Sequence, residues 1–244
     1  MKVAIHQPHY FPWPRYLHKI LECDVFVYLD TVDFDKRFQN RNQVKGQLGP
    51  LWLTIPISAK SGHKIYETWI ADPKIGRKHY GIIASNYAHA EGFSKWSAEL
   101  RAFLYQFGTD FTKIAIDSTE WLLDKLDCRA QRIRASELEG VEGKKSSLNA
   151  SICQTLGATE YLSGAGALAY LKMEDFDEIE CKIQVQTWQR LAYSQQHPQL
   201  GFIPDLSALD LVLNCPDKAA EYIRGAGQFE RLAPPLPTSD NQIT

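Results

Sequence analysis

The sequence predicts an α/β fold: a mostly parallel sheet with flanking helices, plus a helical block in the middle of the chain. Two short apolar runs, at residues 3–5 and 25–29, have almost no polar interruption, as expected for strands that are covered on both faces. Runs of this kind alternate with segments of helical spacing, which favours parallel strands joined by crossover helices. From residue 73 to 130 the apolar spacing is helical, which indicates the helical block.

The elements follow in chain order. The first strand leads into a helix that begins at Pro14, a residue suited to a first helical turn. Beyond the second strand, residues 52–57 and 65–70 predict two strands that pair as a hairpin. After the helical block, the predicted elements are a strand at residues 132–136, a helix at 148–156, strands at 160–162 and 183–188, and a helix from residue 206.

Length and charge restrict the kind of protein. The 244 residues suit one α/β domain, which we place at residues 1–232 with a helical insertion at about 73–130. Residues 233–244 are proline-rich and polar, so we expect a disordered tail there. The net charge of −2 and the pI near 6.4 argue against a general nucleic-acid or membrane-surface binder.

The sequence also indicates a compartment. The N-terminal stretch has no apolar signal region, because His6 and Pro8 interrupt it, and no later run approaches the roughly 20 apolar residues of a membrane span. The five cysteines are widely spaced and include no CxxC pair, so neither a zinc site nor a disulfide framework is predicted. We therefore expect a cytoplasmic protein with reduced thiols, no metal and no membrane partner.

The opening loop carries the first candidate site residues. His6 and Gln7 directly follow the first strand, at the sheet edge where open α/β folds bind ligands. Three prolines in residues 8–14 stiffen the loop, and Tyr10 and Trp13 are rigid side chains suited to a pocket wall. This pattern predicts a small-molecule site. The alternative is a rigid buried corner in which His6 and Gln7 satisfy backbone groups.

Polar side chains after the second strand form the next candidate group. Asp30 ends that strand, where it would bind an amine or a ribose, or else cap the following turn. Arg41 lies between Asn40 and Asn42, and together with Lys36 it offers donors suited to a phosphate or a carboxylate. A solvated loop is the alternative for this segment.

Two later segments add candidate substrate-binding residues. Ser163 opens a turn with two glycines at residues 163–166, where backbone amides can approach a ligand. Gln196 and His197 lie in a loop that is rich in amides, aromatic residues and proline, like the opening loop. We expect this later loop to be a partner of the opening loop.

The combination of motifs resembles the WbqC-like protein family. It comprises, in the order found in that family and over nearly the whole chain, HQPHYFPWPRYLHKI, DVFVYLDTVDF, NRN, WLTIP, GATEYLSG and FIPDLSALDL. The family's opening motif reads HQPxYFPWxGYFxKI, and Arg15 stands where that motif has glycine, a change that would narrow or charge the pocket mouth. The positions that match the family's motifs are His6, Gln7, Tyr10, Asp30, Asn40, Arg41 and Asn42.

The resemblance implies a function. Members of that family occur in gene neighbourhoods for surface polysaccharide and O-antigen assembly, and some are described as glycine or aminoacyl transferases that act on amino sugars. This implies a transferase or ligase that forms an amide on a small amine or amino sugar, in polysaccharide or natural-product biosynthesis. The acyl donor and any cofactor stay open, and nucleic acid is expected only if the donor is a charged tRNA.

Amide formation assigns provisional roles to the candidate residues. The reaction needs a base for the attacking ammonium, donors for the tetrahedral oxyanion and a cation for an anionic group of the donor. His6 is the candidate base, because histidine titrates near neutral pH. The other assigned roles are oxyanion donors for Gln7 and Asn40, an amine contact for Asp30, and an anion contact for Lys36 and Arg41.

Two alternative functions stay open in the sequence. A strand, a histidine-containing turn and a helix also resemble the layout of adenylate-forming ligases with a HIGH motif, of which HQPH and KKSSL are distant echoes. The chain would then be an ATP-dependent ligase. The other alternative is a non-catalytic protein that binds a sugar or nucleotide sugar, with aromatic walls stacked on a ring and amides bonded to hydroxyls.

Overall fold

A computed structural model describes residues 1–35, 38–58 and 62–232. Two predictions therefore fall outside the described residues: the anion contact at Lys36 and the disordered tail at 233–244. In chain order the strands are β1 (Lys2–His6), β2 (Val25–Tyr28), β3 (Arg41–Gly46), β4 (Gly49–Thr54), β5 (Ile57–Ser58), β6 (Trp69–Ile70), β7 (Gln131–Arg134), β8 (Glu160–Gly164), β9 (Lys182–Trp188) and β10 (Gly227–Arg231). The helices are α1 (Pro14–Leu21), α2 (Ile75–Tyr87), α3 (Glu91–Tyr105), α4 (Phe111–Leu123), α5 (Ser146–Leu156), α6 (Met173–Asp177), α7 (Ala208–Asn214) and α8 (Ala219–Ala226).

Six of the described strands form a central sheet in the order β10-β9-β8-β1-β2-β7. Strands β9, β8, β1, β2 and β7 are parallel to one another, and β10 is antiparallel to β9 at one edge. The prediction of an α/β fold with a mostly parallel sheet is confirmed. Helices α2, α3 and α4 form the helical block in the middle of the chain.

Helices cover both faces of the sheet, which explains the uninterrupted apolar strands. Val3 and Ile5 of β1 pack on one face with α5 and α6. Ala4, between them, points to the opposite face and packs with α1, α7, α8 and the helical block. Because successive side chains alternate across a sheet, a strand covered on both faces must be apolar at every position.

The predicted hairpin between residues 52–57 and 65–70 is wrong in its main pairing. Strand β4 pairs antiparallel with β3, a segment that we expected to be a polar loop, and only the short strands β5 and β6 pair with each other. Asn42 and Val44 of β3 are buried, but most residues of this strand are polar. The sequence therefore lacks the alternation of apolar and polar residues that marks a strand. Strand β10 also has no prediction, because its five residues include only one large apolar side chain.

Among the described residues, no helix combines the length and the apolar character that crossing a membrane requires.

Candidate functional site

The candidate site lies where the winding of the sheet reverses. From β1 the chain moves through β2 to β7 on one side, whereas β8, β9 and β10 extend the sheet on the other side. The carboxyl ends of β1 and β8 therefore flank the switch point, which is the position where open α/β sheets bind ligands. His6 ends β1 and Gly164 ends β8 at this point.

Two cavities open at the switch point, one toward each face of the sheet. The smaller, of about 290 Å³, lies on the side of α5 and is lined by Asn149 and Tyr161 among others. The larger, of about 500 Å³, lies on the side of α1 and has Trp13 and Trp188 in its walls. The residues that line both cavities are His6, Lys19, Gly164 and Gly166.

The loop between β1 and α1 is held in one conformation by three distant elements. Phe11 adopts a positive φ of 41°, which is uncommon for a residue with a side chain. Its N–H donates to Oγ of Ser118 at 2.9 Å, and its carbonyl accepts from Nδ2 of Asn42 at 2.6 Å and from Oγ of Ser207 at 2.8 Å. Such strain persists only where the surroundings over-determine it. The loop that carries the site residues is therefore rigid.

His6 has the geometry of a neutral base. Its ring packs edge-on against the ring of Tyr16 at 4.7 Å between centroids, and its Nδ1 lies 3.2 Å from the carbonyl oxygen of Gln7. A carbonyl only accepts hydrogen bonds, so Nδ1 carries the proton and Nε2 keeps its lone pair. Burial, with a smaller contribution from Lys19, holds the pKa of His6 well below its usual value. The imidazole is therefore uncharged at neutral pH, and it titrates at a more acidic pH than the unperturbed histidine on which the choice of His6 as the base rests.

Lys19 is the second ionisable group at the junction of the cavities. It lies on α1, is only 3% exposed, and its Nζ is 5.9 Å from the centroid of the Tyr16 ring. Burial lowers its pKa from 10.5 to about 7, and the nearby positive charge of Arg15 acts in the same direction. Among the described residues, no carboxylate forms an ion pair with this ammonium.

Gln7 is oriented by a neighbouring amide. Its Oε1 accepts a hydrogen bond of 2.7 Å from Nε2 of Gln39, and its backbone carbonyl accepts from the hydroxyl of Tyr16 at 3.1 Å. Since Oε1 faces Gln39, the Nε2 end of Gln7 is left as the donor beside the smaller cavity, which Gln7 helps to line. His6, Gln7 and Trp13 are thus the predicted residues that the fold brings to the switch point.

Asp30 lies away from both cavities. It is fully buried, and its Oδ2 accepts from Nε of Arg134 at 2.8 Å and from Oγ of Ser136 at 2.7 Å. Its Oδ1 accepts from the backbone N–H of Ser136 at 2.9 Å. These bonds tie the end of β2 to the turn after β7. Asp30 therefore caps a turn that is distant in the sequence, and not the turn directly after β2 that the capping alternative named.

Three other predicted residues make hydrogen bonds within the protein, away from the two cavities. Tyr10 is buried, and its hydroxyl lies 2.9 Å from Nδ1 of His79. Asn40 donates from Nδ2 to the carbonyl of Ile55 at 2.7 Å, and Asn42 donates to Phe11 as described. None of the three is among the described residues that line either cavity.

The remaining predicted residues are dispersed. Arg41 lies on β3, with its guanidinium 4.6 Å from the ring centroid of Trp52. Ser163 is buried one residue before Gly164, and its hydroxyl donates to the carbonyl of that glycine at 3.3 Å. Gln196 and His197 lie in the loop before α7, outside the lining of both cavities. His197 has a positive φ of 57°.

No three His, Cys, Asp or Glu side chains within the described ranges are grouped closely enough to hold a metal ion.

Comparison with known proteins identifies the family. The family model described as the WbqC-like protein family matches residues 7–222, which is most of the chain. The chain belongs to the WbqC-like protein family. This WbqC-like chain is also 31% identical over 231 residues to a Mycobacterium tuberculosis (strain ATCC 25618 / H37Rv) protein named Uncharacterized protein Rv1507c, a match that covers 91% of the chain and 97% of the relative. No solved structure matches the chain.

Lys19 is the site residue of this WbqC-like protein that the sequence reasoning missed, although a usable signal exists. Once α1 begins at Pro14, Tyr16, Lys19 and Ile20 share one helix face by their spacing of three and four residues. A lysine on the apolar face of a helix beside a candidate base is a reason to expect a buried amine. No comparable signal exists for Asn149 or Tyr161, because they reach the site only through the pairing of distant elements.

Proposed function

We propose that this WbqC-like protein catalyses transfer of an acyl or aminoacyl group, of the glycine type, to the amine of a small substrate such as an amino sugar. The observation that carries the proposal is the meeting of two cavities at His6 and Lys19. A transferase must hold two substrates with their reacting atoms together, and a shared junction with an uncharged base suits that requirement.

The proposed reaction assigns each group one task. Nε2 of His6 takes the proton from the attacking ammonium, and the amine nitrogen then forms a bond to the carbonyl carbon of the donor. The tetrahedral intermediate collapses, and the leaving group departs with the electron pair of its bond to that carbon. The leaving group takes up the second proton that the nitrogen loses as the amide forms, and His6 returns its own proton to solvent. Nε2 of Gln7 donates to the developing oxyanion, in an orientation that Gln39 fixes through Oε1.

The polar lining of the smaller cavity supports its assignment to the amine substrate. Asn149 and Tyr161 are joined by a hydrogen bond of 3.1 Å from Nδ2 to the phenol oxygen, and Gln7 and Tyr170 complete this wall. Oδ1 of Asn149 is buried and has no partner in the described part of the chain. An unmet acceptor beside phenols and an amide suits the hydroxyls and the amine of an amino sugar. The larger cavity is left for the acyl donor.

The biological setting also belongs to the proposal. The family resemblance supports a role in surface polysaccharide or O-antigen biosynthesis, with a charged tRNA among the possible donors. All five cysteines are free thiols, which fits the reducing cytoplasm, where activated aminoacyl donors are made.

The test is an amide-forming assay followed by mass spectrometry. The purified protein is incubated with a panel of amino sugars and amino-sugar nucleotides and with glycine presented as glycyl-tRNA, as a glycyl thioester, or free with ATP. We expect a product heavier by one glycyl residue, and a loss of turnover on the order of 10²–10⁴ in His6→Ala. Wild-type turnover by His6→Ala would remove histidine from the mechanism.

The same assay separates the two alternatives. An ATP-dependent ligase would form product from free glycine and would exchange pyrophosphate into ATP. The lysines of KKSSL, Lys144 and Lys145, are exposed before α5 and line neither cavity, so we rank this alternative lower. A non-catalytic binding protein would retain an amino sugar without forming product from any donor. The aromatic walls Trp13 and Trp188 are the feature that favours this reading.

A further inference from the structure

We propose that the larger cavity binds its ligand through an anionic group, a phosphate or a carboxylate, that pairs with the ammonium of Lys19. The inference deepens the proposed function and rests on it for one point only, because it names the chemical class of the donor that this cavity would take. The anion site itself follows from charge and burial and needs no assumption about the reaction.

The charges around the larger cavity are unbalanced. Buried Lys19 and exposed Arg15 both line it. No aspartate or glutamate is among the described residues that line this cavity or the smaller one. The larger cavity, which has two cations and no carboxylate in its described lining, therefore attracts an anionic ligand and disfavours a cationic one.

The excess of positive charge is unusual because Lys19 is buried. Lysine is almost never this buried unless it is paired, because removing an ammonium from water is costly. Here Lys19 is 3% exposed, and its ammonium lies over the ring of Tyr16, 5.9 Å from the ring centroid. A β-carbon built at Gly164 would lie 3.8 Å from Nζ, so the absence of a side chain at Gly164 leaves space beside the ammonium. The geometry supplies a cation, an adjacent space and, within the described part of the chain, no counter-ion.

Binding of an anion there must be linked to protonation of the lysine. The other charged or titratable groups that face Lys19 are His6, His9, Arg15, Tyr16 and Cys23, with Tyr161 and Tyr170 across the smaller cavity. Burial holds the pKa of His6 and His9 below neutral and raises that of Tyr16 and Cys23, so none of these four changes charge between pH 6 and 8.5. Lys19, with a pKa of about 7, is the group around this cavity that does.

The arrangement predicts a pH dependence with a definite sign. Below pH 7 Lys19 is already an ammonium, so an anion binds without taking up a proton. Above pH 7 the free protein holds a neutral amine, so binding must draw in a proton and the affinity falls as the pH rises. An anion that binds the ammonium form tenfold more tightly than the amine form raises the pKa of Lys19 by one unit.

The experiment uses inorganic sulfate as the probe, because sulfate remains a dianion throughout this pH range and any proton uptake comes from the protein. Sulfate affinity is measured by titration calorimetry from pH 6 to 8.5 in the full-length protein. The matched variants are Lys19→Met, Lys19→Arg and, as a control, Lys182→Met. The control removes an exposed lysine at the start of β9, whereas the end of that strand lines the larger cavity. The Lys19 titration is followed in parallel by NMR of lysine labelled at the ε-carbon, assigned with Lys19→Arg.

The expected results are specific. Wild type and Lys182→Met bind sulfate with an affinity that falls above pH 7, and sulfate raises the pKa of Lys19. Lys19→Met weakens binding at pH 6 by about 10- to 100-fold, the effect of losing a hydrogen bond to a charged group. Lys19→Arg retains binding but its affinity is flat with pH, because arginine stays charged.

Three results would overturn the inference: sulfate binding by Lys19→Met within twofold of wild type, a flat pH profile in wild type, or a Lys19 titration that sulfate does not move. If Lys19→Met does not fold, the arginine variant and the wild-type NMR titration still decide the matter. Failure of the proposed function has a different signature. It would leave sulfate binding and its pH dependence intact while no donor in the panel gave an amide product.

Discussion

Gln39 donates a hydrogen bond of 2.7 Å from its Nε2 to Oε1 of Gln7, and this contact joins the polar segment after β2 to the candidate oxyanion donor. Gln39 is itself fixed. Its carbonyl accepts from the N–H of Tyr10 at 2.9 Å, and its Oε1 accepts from the N–H of Asp35 at 3.0 Å. The polar segment after β2 therefore contributes to the candidate site by orienting the Gln7 side chain through Gln39.

The first prediction tests that orientation. Gln39→Ala removes the donor that holds Oε1 of Gln7, so the Gln7 amide is free to rotate and its Nε2 spends less time directed at the oxyanion. We expect kcat for amide formation to fall by about tenfold, with a smaller change in KM, since a single misoriented oxyanion donor costs at most 10²–10³. Gln47→Ala, which changes an exposed glutamine in the turn between β3 and β4, is the control and should retain wild-type kcat. Equal kcat in both variants would exclude Gln7 as an oxyanion donor that Gln39 orients.

The second prediction concerns the acidic limb of the rate profile. Burial is the largest cause of the low pKa of His6, and the charge of Lys19 is the next. A base acts when it is deprotonated, so kcat/KM for an amine of fixed charge state should hold its plateau well below pH 6.5 and fall only at more acidic pH.

Lys19→Met removes the second of these causes and provides the check. Without the positive charge, protonation of His6 becomes easier and its pKa rises, so the acidic limb of kcat/KM should move to higher pH by a fraction of a unit. Lys182→Met should leave the limb in place. An acidic limb near pH 6.5 in wild type, unmoved by Lys19→Met, would show that a solvent-exposed group is the base.

The sequence predicts the strand, loop and helix around the candidate site because these elements depend on local features of the chain. Residues 3–5 are apolar at every position, which indicates a strand covered on both faces, and the three prolines that follow leave little choice for the loop. A polar residue directly after such a strand must lie at the carboxyl edge of the sheet. The fold confirms the strand, the loop and the helix that begins at Pro14.

The contacts of the polar residues around the candidate site could not be predicted from local sequence. Asn40 and Asn42 have side chains that can serve a ligand or a backbone group, and only the fold shows that they bond the carbonyls of Ile55 and Phe11. Buried backbone groups must find partners, and in an irregular loop amide side chains supply them. Lys19 differs from Asn40 and Asn42, because its place on the apolar face of α1 can be read from the sequence, whereas the depth of its burial is seen only in the fold.

The third prediction separates a structural role of Asp30 from a catalytic one. Asp30→Ala leaves the Nε of Arg134 and two donors of Ser136 without their acceptor. Loss of one partner of such a buried pair should lower the free energy of unfolding by about 3 kcal/mol. Ser136→Ala, which removes only the hydroxyl, should cost about 1 kcal/mol. Urea denaturation measures both.

Activity completes the test of Asp30. Below their unfolding transitions, both variants should retain turnover within about twofold of wild type per folded molecule, since Asp30 lies outside both cavities. A folded Asp30→Ala protein with no turnover would instead return Asp30 to the amine contact that the sequence suggests.

The fourth prediction uses Gly164 to close the junction between the two cavities. Gly164 has an extended backbone with φ of −83° and ψ of 152°, which other residues adopt without strain, and a β-carbon there would meet only Nζ of Lys19, at 3.8 Å. Gly164→Ala should therefore fold normally and reduce turnover slightly. Gly164→Val projects two methyl groups into the junction and should reduce amide formation on the order of 10²-fold by separating the reacting atoms.

The decisive comparison in Gly164→Val is between binding of a single ligand and turnover, which needs both substrates to meet. The smaller cavity has lining residues that the larger one lacks, among them Asn149 and Tyr161, so Gly164→Val should still bind an amino sugar there within a few-fold of wild type. Gly108→Val, at a glycine with open space around its Cα, controls for the added side chain. Turnover that survives in Gly164→Val would mean that the two substrates do not meet at the switch point, whereas binding without turnover identifies the junction of His6, Lys19 and Gly164 as the place where they react.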